Sequence, residues 1–137
     1  MNLPPAGLDA RRRDASRRAA AAHGTPLYLL DWDEVRAQAA ALQAAFPGAL
    51  CLYAMKANPL LAVLGRLSTL GWGFEAVSAG ELERAARAAP GAPVVLNGPG
   101  KTPETLDRAA ALGAVVAVDA LDEIERVPRG AKVLLVG

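Results

Sequence analysis

A single lysine follows a short apolar run in the first half of the chain. Residues 50–55 read Leu-Cys-Leu-Tyr-Ala-Met, Lys56 comes next, and Asn58 and Pro59 then suit the N-cap and first turn of a helix. The run is typical of a buried strand, so Lys56 is predicted at its carboxyl end, where β/α folds build their sites. A partly desolvated lysine loses its proton more readily, and a neutral amine can form a Schiff base with an aldehyde. The alternative is a lysine that only extends from a strand end into solvent.

Composition and charge limit the classes of function. The chain has 137 residues, which suit one domain or part of one, and 53% of them are hydrophobic. Its 15 basic and 14 acidic residues give a net charge of +1, so charge provides no argument for a nucleic-acid partner. No apolar run approaches the roughly 18 residues of a membrane span. One cysteine permits no intrachain disulfide, and one histidine excludes a histidine-rich metal site, so we expect a cytoplasmic protein without a bound metal.

The first 24 residues differ in composition from the rest. They combine clustered arginines with an alanine run and lack the apolar segment of a signal peptide. Residues 1–24 are therefore predicted to be a mobile or helical N-terminal extension, and residues 25–137 to form the folded domain.

From residue 25 onward, strand-like and helix-like segments alternate. Ser78 and Glu81 have the spacing of a helix capping box, and Asp31 or Asp33, and later Asp119, are predicted N-caps. The predicted strands are residues 26–30, 50–55, 72–77, 93–97, 114–118 and 132–136.

This alternation predicts parallel strands joined by right-handed crossovers. The strand ends at Lys56, Ser78, Asn97 and Asp119 are separated by 22, 19 and 22 residues, which is the period of a β/α unit. A (β/α)₈ barrel needs about 250 residues. We therefore expect an α/β fold, a partial TIM-type barrel with about five of its eight strands. A doubly wound sheet would show the same alternation.

Three motifs carry a family resemblance: YAMKANP at residues 53–59, GFEAVSAGEL at 73–82 and NGPGKT at 97–102. In this order and spacing they resemble the N-terminal barrel of fold-type III pyridoxal 5'-phosphate (PLP) enzymes, in particular the diaminopimelate/ornithine/arginine decarboxylase group. The resemblance implies that residues 25–137 are the N-terminal part of a PLP-binding barrel domain with the alanine-racemase-like fold. It also implies that the full-length protein is a homodimeric decarboxylase, a lyase whose small-molecule substrate is an amino acid.

The resemblance implies a role for five residues. Lys56 would form the internal aldimine with PLP, and Ala54, Glu75, Ser78 and Asn97 would bind the cofactor. Glu75 stands where the family usually has aspartate, so its side chain is one methylene longer. For Ser78 the alternative is a helix cap, and for Asn97 it is the start of a turn over residues 97–101.

Several family elements do not occur in these 137 residues: the histidine stacked on the pyridine ring, the phosphate-binding glycine loop, the glutamate paired with the pyridinium nitrogen, and the C-terminal β-domain. We therefore expect this chain alone to be inactive and to be poorly soluble or self-associating. The lysine motif also allows a racemase or another lyase of the same fold. A non-catalytic PLP-binding or truncated relative is the remaining alternative.

Overall fold

The computed structural model describes residues 9–136, which form two compact units, one ending at Ala45 and the other beginning at Phe46. The first unit contains helices α1 (Ala10–His23) and α2 (Trp32–Ala45). The Asp9 carboxylate caps α1 by accepting a hydrogen bond from the backbone of Arg12 at 2.8 Å. The arginine-rich segment is thus helical. The predicted division between residues 24 and 25 stays a prediction.

Asp31 is the N-cap of α2. Its Oδ1 accepts hydrogen bonds from the backbone N–H groups of Asp33 and Glu34 at 3.1 and 3.3 Å. Arg11 and Arg12 both donate to its other oxygen, at 2.7 and 3.0 Å. Of the two predicted caps for this helix, Asp31 is therefore the one that the structure uses.

The strand predicted at residues 26–30 is wrong, because this segment has no regular secondary structure. Tyr28 is fully exposed, and Leu29 and Leu30 are each 51% exposed. An apolar run forms a strand only where another strand offers backbone partners, and no described strand of this unit does so.

The second unit is a five-stranded parallel sheet with a helix in each crossover. The strand order is β1-β2-β3-β4-β5, so each strand pairs with the next one along the chain. A doubly wound sheet reverses its order at a switch point, and the described strands have none. The elements are β1 (Leu52–Ala54), a 3₁₀ turn (Met55–Ala57), α3 (Leu61–Ser68), β2 (Gly73–Ala76), α4 (Ala79–Ala88), β3 (Val94–Leu96), α5 (Pro103–Ala111), β4 (Val115–Val118), α6 (Leu121–Arg126) and β5 (Lys132–Leu135).

The two faces of this sheet differ in burial. On one face, Phe74, Leu96 and Val116 are fully buried beneath the crossover helices, whose Leu82 and Leu106 are also buried. Register partners in parallel strands lie on the same face. The other face carries the aligned row Ala54, Glu75, Val95, Val115 and Lys132, whose members are half-buried or, for Lys132, exposed. We call it the inner face.

Two predicted helix starts are wrong. Asn58 does not cap α3, because its Oδ1 accepts a hydrogen bond from the backbone of Leu60 at 3.2 Å and the helix begins only at Leu61. Asp119 does not cap α6, whose N-cap is Ala120. The side chain of Asp119 is instead engaged in an ion pair, described below.

Candidate functional site at the carboxyl rim of the sheet

The carboxyl ends of the parallel strands form one rim of the sheet, and the four polar residues predicted at strand ends lie along it. Lys56 follows β1, Ser78 follows β2, Asn97 follows β3 and Asp119 follows β4. Their spacing of about one β/α unit predicts this arrangement, because every parallel strand begins at the same edge.

Lys56 lies in the 3₁₀ turn immediately after β1. Its neighbour Met55 is fully buried and anchors the turn, whereas the Lys56 side chain is exposed. Among residues 9–136, Lys56 has no hydrogen bond or ion pair. The partial desolvation expected from the sequence is therefore wrong for residues 9–136, since Lys56 lies two positions after the end of β1 and its side chain is exposed. The amine is unpaired and accessible at the rim.

Glu75 and Asn97 form a polar pair across two strand ends. The Asn97 side-chain amide donates to Glu75 Oε1 at 2.9 Å, and its backbone N–H donates to the carbonyl of Ala76 at 2.8 Å, which extends the ladder by one residue. Both side chains are half-buried. Ala54 is the register partner of Glu75 and lies on the same inner face. The structure thus brings Ala54, Glu75 and Asn97 together.

Ser78 caps helix α4. Its hydroxyl oxygen accepts a hydrogen bond from the Glu81 backbone at 3.3 Å, and the Glu81 carboxylate accepts one from the Val77 backbone at 2.7 Å. The capping box is confirmed, with the glutamate reaching one residue further back than usual. This supports the structural alternative for Ser78, and its role in cofactor binding stays a prediction.

A buried ion pair behind the rim was not expected from the sequence. Lys101 was predicted within a turn, and the structure buries its side chain to 1% exposure, with Nζ 2.8 and 2.9 Å from the two carboxylate oxygens of Glu123. Asp119 Oδ1 lies 3.4 Å from the same ammonium. Hydrogen bonding to Glu123, followed by the hydrogen bond and charge of Lys101, lowers the pKa of the Asp119 carboxyl.

The hydrophobic pattern of helix α6 does not predict the Lys101–Glu123 ion pair. Leu121 and Ile124 are 86% and 53% exposed, whereas Glu123 is 2% exposed. A hydrophobic pattern predicts the reverse burial. Sequence alone does not reveal this pair, because Lys101 and Glu123 are 22 residues apart and belong to neighbouring β/α units.

One cavity of this unit lies away from the rim. It has a volume of about 590 Å³, is bordered mainly by apolar residues including Leu50, Leu112 and Val115, and adjoins Lys132 at the start of β5. The described residues contain no group of three or more histidine, cysteine or acidic side chains that could hold a metal ion. At the rim, the Lys56 amine is a group that could react covalently, and the Glu75–Asn97 pair could bind a polar small molecule.

Comparison with known proteins decides the family. A family model described as "Pyridoxal-dependent decarboxylase, pyridoxal binding domain" matches residues 32–135, which include all three motifs. The chain belongs to this family. The cofactor of the family is PLP, as the sequence predicted.

Relatives from the same family agree with this assignment. A diaminopimelate decarboxylase from Deinococcus radiodurans is 47% identical over 124 residues, which are 90% of this chain and 33% of the relative. A lysine/ornithine decarboxylase from Vibrio vulnificus, solved with putrescine, superposes with a TM-score of 0.84 at 30% identity, covering 94% of this chain and 37% of that protein. SrLDC in complex with PLP and cadaverine gives a TM-score of 0.80 at 27% identity, covering 97% and 35%.

The chain therefore spans about a third of the length of the relatives it matches. With five sequential parallel strands, the predicted fold class is confirmed: the second unit is part of a TIM-type barrel. No helix between residues 9 and 136 is long and apolar enough to cross a membrane.

Proposed function

We propose that this chain is the N-terminal portion of a PLP-dependent amino-acid decarboxylase and that Lys56 binds the cofactor covalently. The observation that carries the proposal is the position of Lys56. It is a free amine on the carboxyl rim of the sheet, within the motif that the family resemblance rests on.

The other two lysines of the chain are poorly suited to this role. Lys101 is buried and paired with Glu123, so its amine is not accessible. Lys132 is exposed but begins β5, at the opposite edge of the sheet from the rim. An aldehyde bound at the rim would therefore meet only Lys56.

The inner-face residues beside Lys56 fit a polar, planar cofactor. Glu75 Oε1 is occupied by the Asn97 amide, while Oε2 accepts no hydrogen bond from the described residues and is available to a donor at the rim. Ala54, on the same face, has only a methyl group and leaves room beside the carboxylate. We propose that Glu75 and Asn97 would hold and orient PLP, with Ala54 contributing to the same site. Ser78 would contribute through the start of α4.

When bound, PLP supplies an electron sink for the electron pair left by loss of CO₂. This chain's contribution is to fix the cofactor at the rim through Lys56 and the Glu75–Asn97 pair. The 47% identity to a diaminopimelate decarboxylase supports an amino acid of the diaminopimelate type as the substrate. A racemase of the same fold finds no such support. We also propose, from the family resemblance, that the longer protein is a homodimer, and from its cysteine content that it is cytoplasmic.

The proposal is tested by borohydride reduction of the protein in the presence of PLP, followed by peptide mapping. Reduction fixes PLP to the amine that it occupies, and we expect the label on Lys56. In Lys56→Arg the positive charge is kept, but the guanidinium cannot form the covalent link. We expect this variant to lose the label while retaining its fold by circular dichroism.

Lys132→Arg is the matched control, because it makes the same change at the other exposed lysine. It should be labelled like the wild type. Unchanged labelling of Lys56→Arg, or a label on Lys101 or Lys132 in the wild type, would contradict the assignment of Lys56.

A further inference from the structure

Lys101 is held by helix α6 at two points. Its ammonium binds both carboxylate oxygens of Glu123, and its backbone carbonyl accepts a hydrogen bond from the Arg126 guanidinium at 3.1 Å. Glu123 in turn accepts a hydrogen bond from the backbone of Asp119 at 3.3 Å, which ties the pair to the end of β4. The end of the loop at Lys101 is therefore fixed to the next β/α unit.

The beginning of the same loop is fixed to the preceding unit. Asn97 bonds to Glu75 and to the backbone of Ala76, and its Oδ1 accepts a hydrogen bond from the Gly98 N–H at 2.8 Å. Gly98 has a φ of +96°, a backbone conformation that glycine adopts without strain. The loop over residues 97–101, which we call the rim loop, is thus held at both ends.

Stability alone does not account for a charged pair at this position. Removing two charges from water is costly, and apolar residues of similar size often replace a buried ion pair without loss of stability. The pair instead fixes the position of Lys101 relative to α6, because the Lys101 ammonium bonds to both carboxylate oxygens of Glu123. Lys101 is the last residue of the loop that begins with Asn97.

We propose that Lys101 and Glu123 are positioning residues for the rim: by tying the rim loop to α6 they keep Asn97 in contact with Glu75. The proposal rests on the proposed function in so far as Asn97 and Glu75 hold PLP. We assign neither Lys101 nor Glu123 a contact with the cofactor, since both side chains are buried and paired with each other.

The test uses the double variant Lys101→Met/Glu123→Gln in the full chain. It removes both charges together, approximately keeps the side-chain lengths, and leaves an amide oxygen to accept from the Asp119 backbone. Amide hydrogen exchange is measured at Gly98 and Asn97 of the rim loop and at Val136, whose N–H donates to the carbonyl of Val118 in the neighbouring strand. PLP affinity is measured by fluorescence titration.

We expect exchange at Gly98 and Asn97 to accelerate about tenfold or more through local opening, with Val136 unchanged. PLP affinity should fall by a comparable factor. The matched control is Arg108→Met/Glu83→Gln, which removes an exposed ion pair between α5 and α4 that does not touch the rim loop. It should leave loop exchange and PLP affinity unchanged.

Unchanged exchange at Gly98, or an equal increase at Val136, would overturn the proposal, because the pair would then have no role or only a global one. If the double variant does not fold, Glu123→Gln answers the same question, since it removes the two-oxygen contact with the Lys101 ammonium while keeping an amide oxygen for the Asp119 backbone and leaving Lys101 its contact with the Asp119 carboxylate. Faster exchange confined to the loop in this variant supports the proposal, and unchanged exchange refutes it. Failure of the wild type to bind PLP would instead refute the proposed function, because the exchange result does not depend on the cofactor.

Discussion

Gly73 is the position where a single methyl group should disturb the sheet most clearly. It begins β2 between β1 and β3, and a Cβ built there would lie 2.5 Å from the Pro93 carbonyl oxygen and 2.7 Å from Leu52 Cδ2. The leucine methyl can rotate away. The Pro93 oxygen cannot easily move, because it accepts the Phe74 N–H at 2.8 Å within the ladder.

The expected cost of Gly73→Ala follows from this geometry. Overpacking of a well-packed site typically costs about 1–3 kcal/mol. A Gly→Ala change recovers about 0.4–1 kcal/mol by restricting the unfolded chain. Since the close contact is with backbone, we expect a net loss of roughly 2 kcal/mol in the free energy of unfolding. For a domain of this size each kcal/mol lowers the melting temperature by about 4–8 °C, so the loss amounts to about 10 °C.

Gly65→Ala is the matched control. Gly65 lies in helix α3, and a Cβ there would be 3.5 Å from the Ala88 carbonyl oxygen, an ordinary contact. Alanine is favoured over glycine in a helix interior by up to about 1 kcal/mol, so this variant should be stabilised. Urea unfolding followed by far-ultraviolet circular dichroism measures both. Equal unfolding midpoints for Gly73→Ala and the wild type would refute the reasoning.

Two further predictions concern groups near the helix ends. Ser78→Ala should lower the free energy of unfolding by about 1 kcal/mol, because the N-cap of α4 loses its acceptor, whereas Ser78→Asp should keep most of the wild-type stability. If PLP affinity falls in Ser78→Asp although stability is kept, the serine has a direct role in cofactor binding. The hydrogen bond and charge of Arg108 lower the pKa of the Glu83 carboxyl. The stability that this pair contributes is therefore fully present above the ordinary carboxyl pKa, and it is lost as the pH falls through the lowered pKa of the folded state. An NMR titration should show the pKa of the Glu83 carboxyl rising back to its ordinary range in Arg108→Met, and an unchanged pKa would contradict the pairing.

Most of the second unit could be predicted from local sequence. Apart from Glu75 in β2 and Lys132 at the start of β5, the strands after residue 50 are apolar runs bounded by glycine, proline or a polar residue, a pattern typical of parallel strands. Capping is also local, so Ser78 could be predicted from Glu81 three residues later, and the start of α2 could be narrowed to Asp31 or Asp33, of which the structure uses Asp31.

Three features depend on contacts that the local sequence does not specify. The apolar run at residues 26–30 gives no information about a partner strand. Asp119 is a good N-cap by type, but the Lys101 ammonium engages its carboxylate. Burial of Lys101 and Glu123 requires two β/α units to be brought together, and each residue by itself is of a type usually found at the surface.

The sequential order of the strands has a consequence for how this sheet assembles. Each strand pairs with the strand of the next unit, roughly 20 residues further along the chain, so no pairing has to wait for a distant segment. Closing loops of this length costs little more entropy than closing shorter ones, since the cost rises only with the logarithm of length. Pairing between neighbouring units is reached faster than pairing between distant segments would be. The sheet can therefore grow one unit at a time in the order of synthesis, and at each stage its two unpaired edges are β1 and the newest strand.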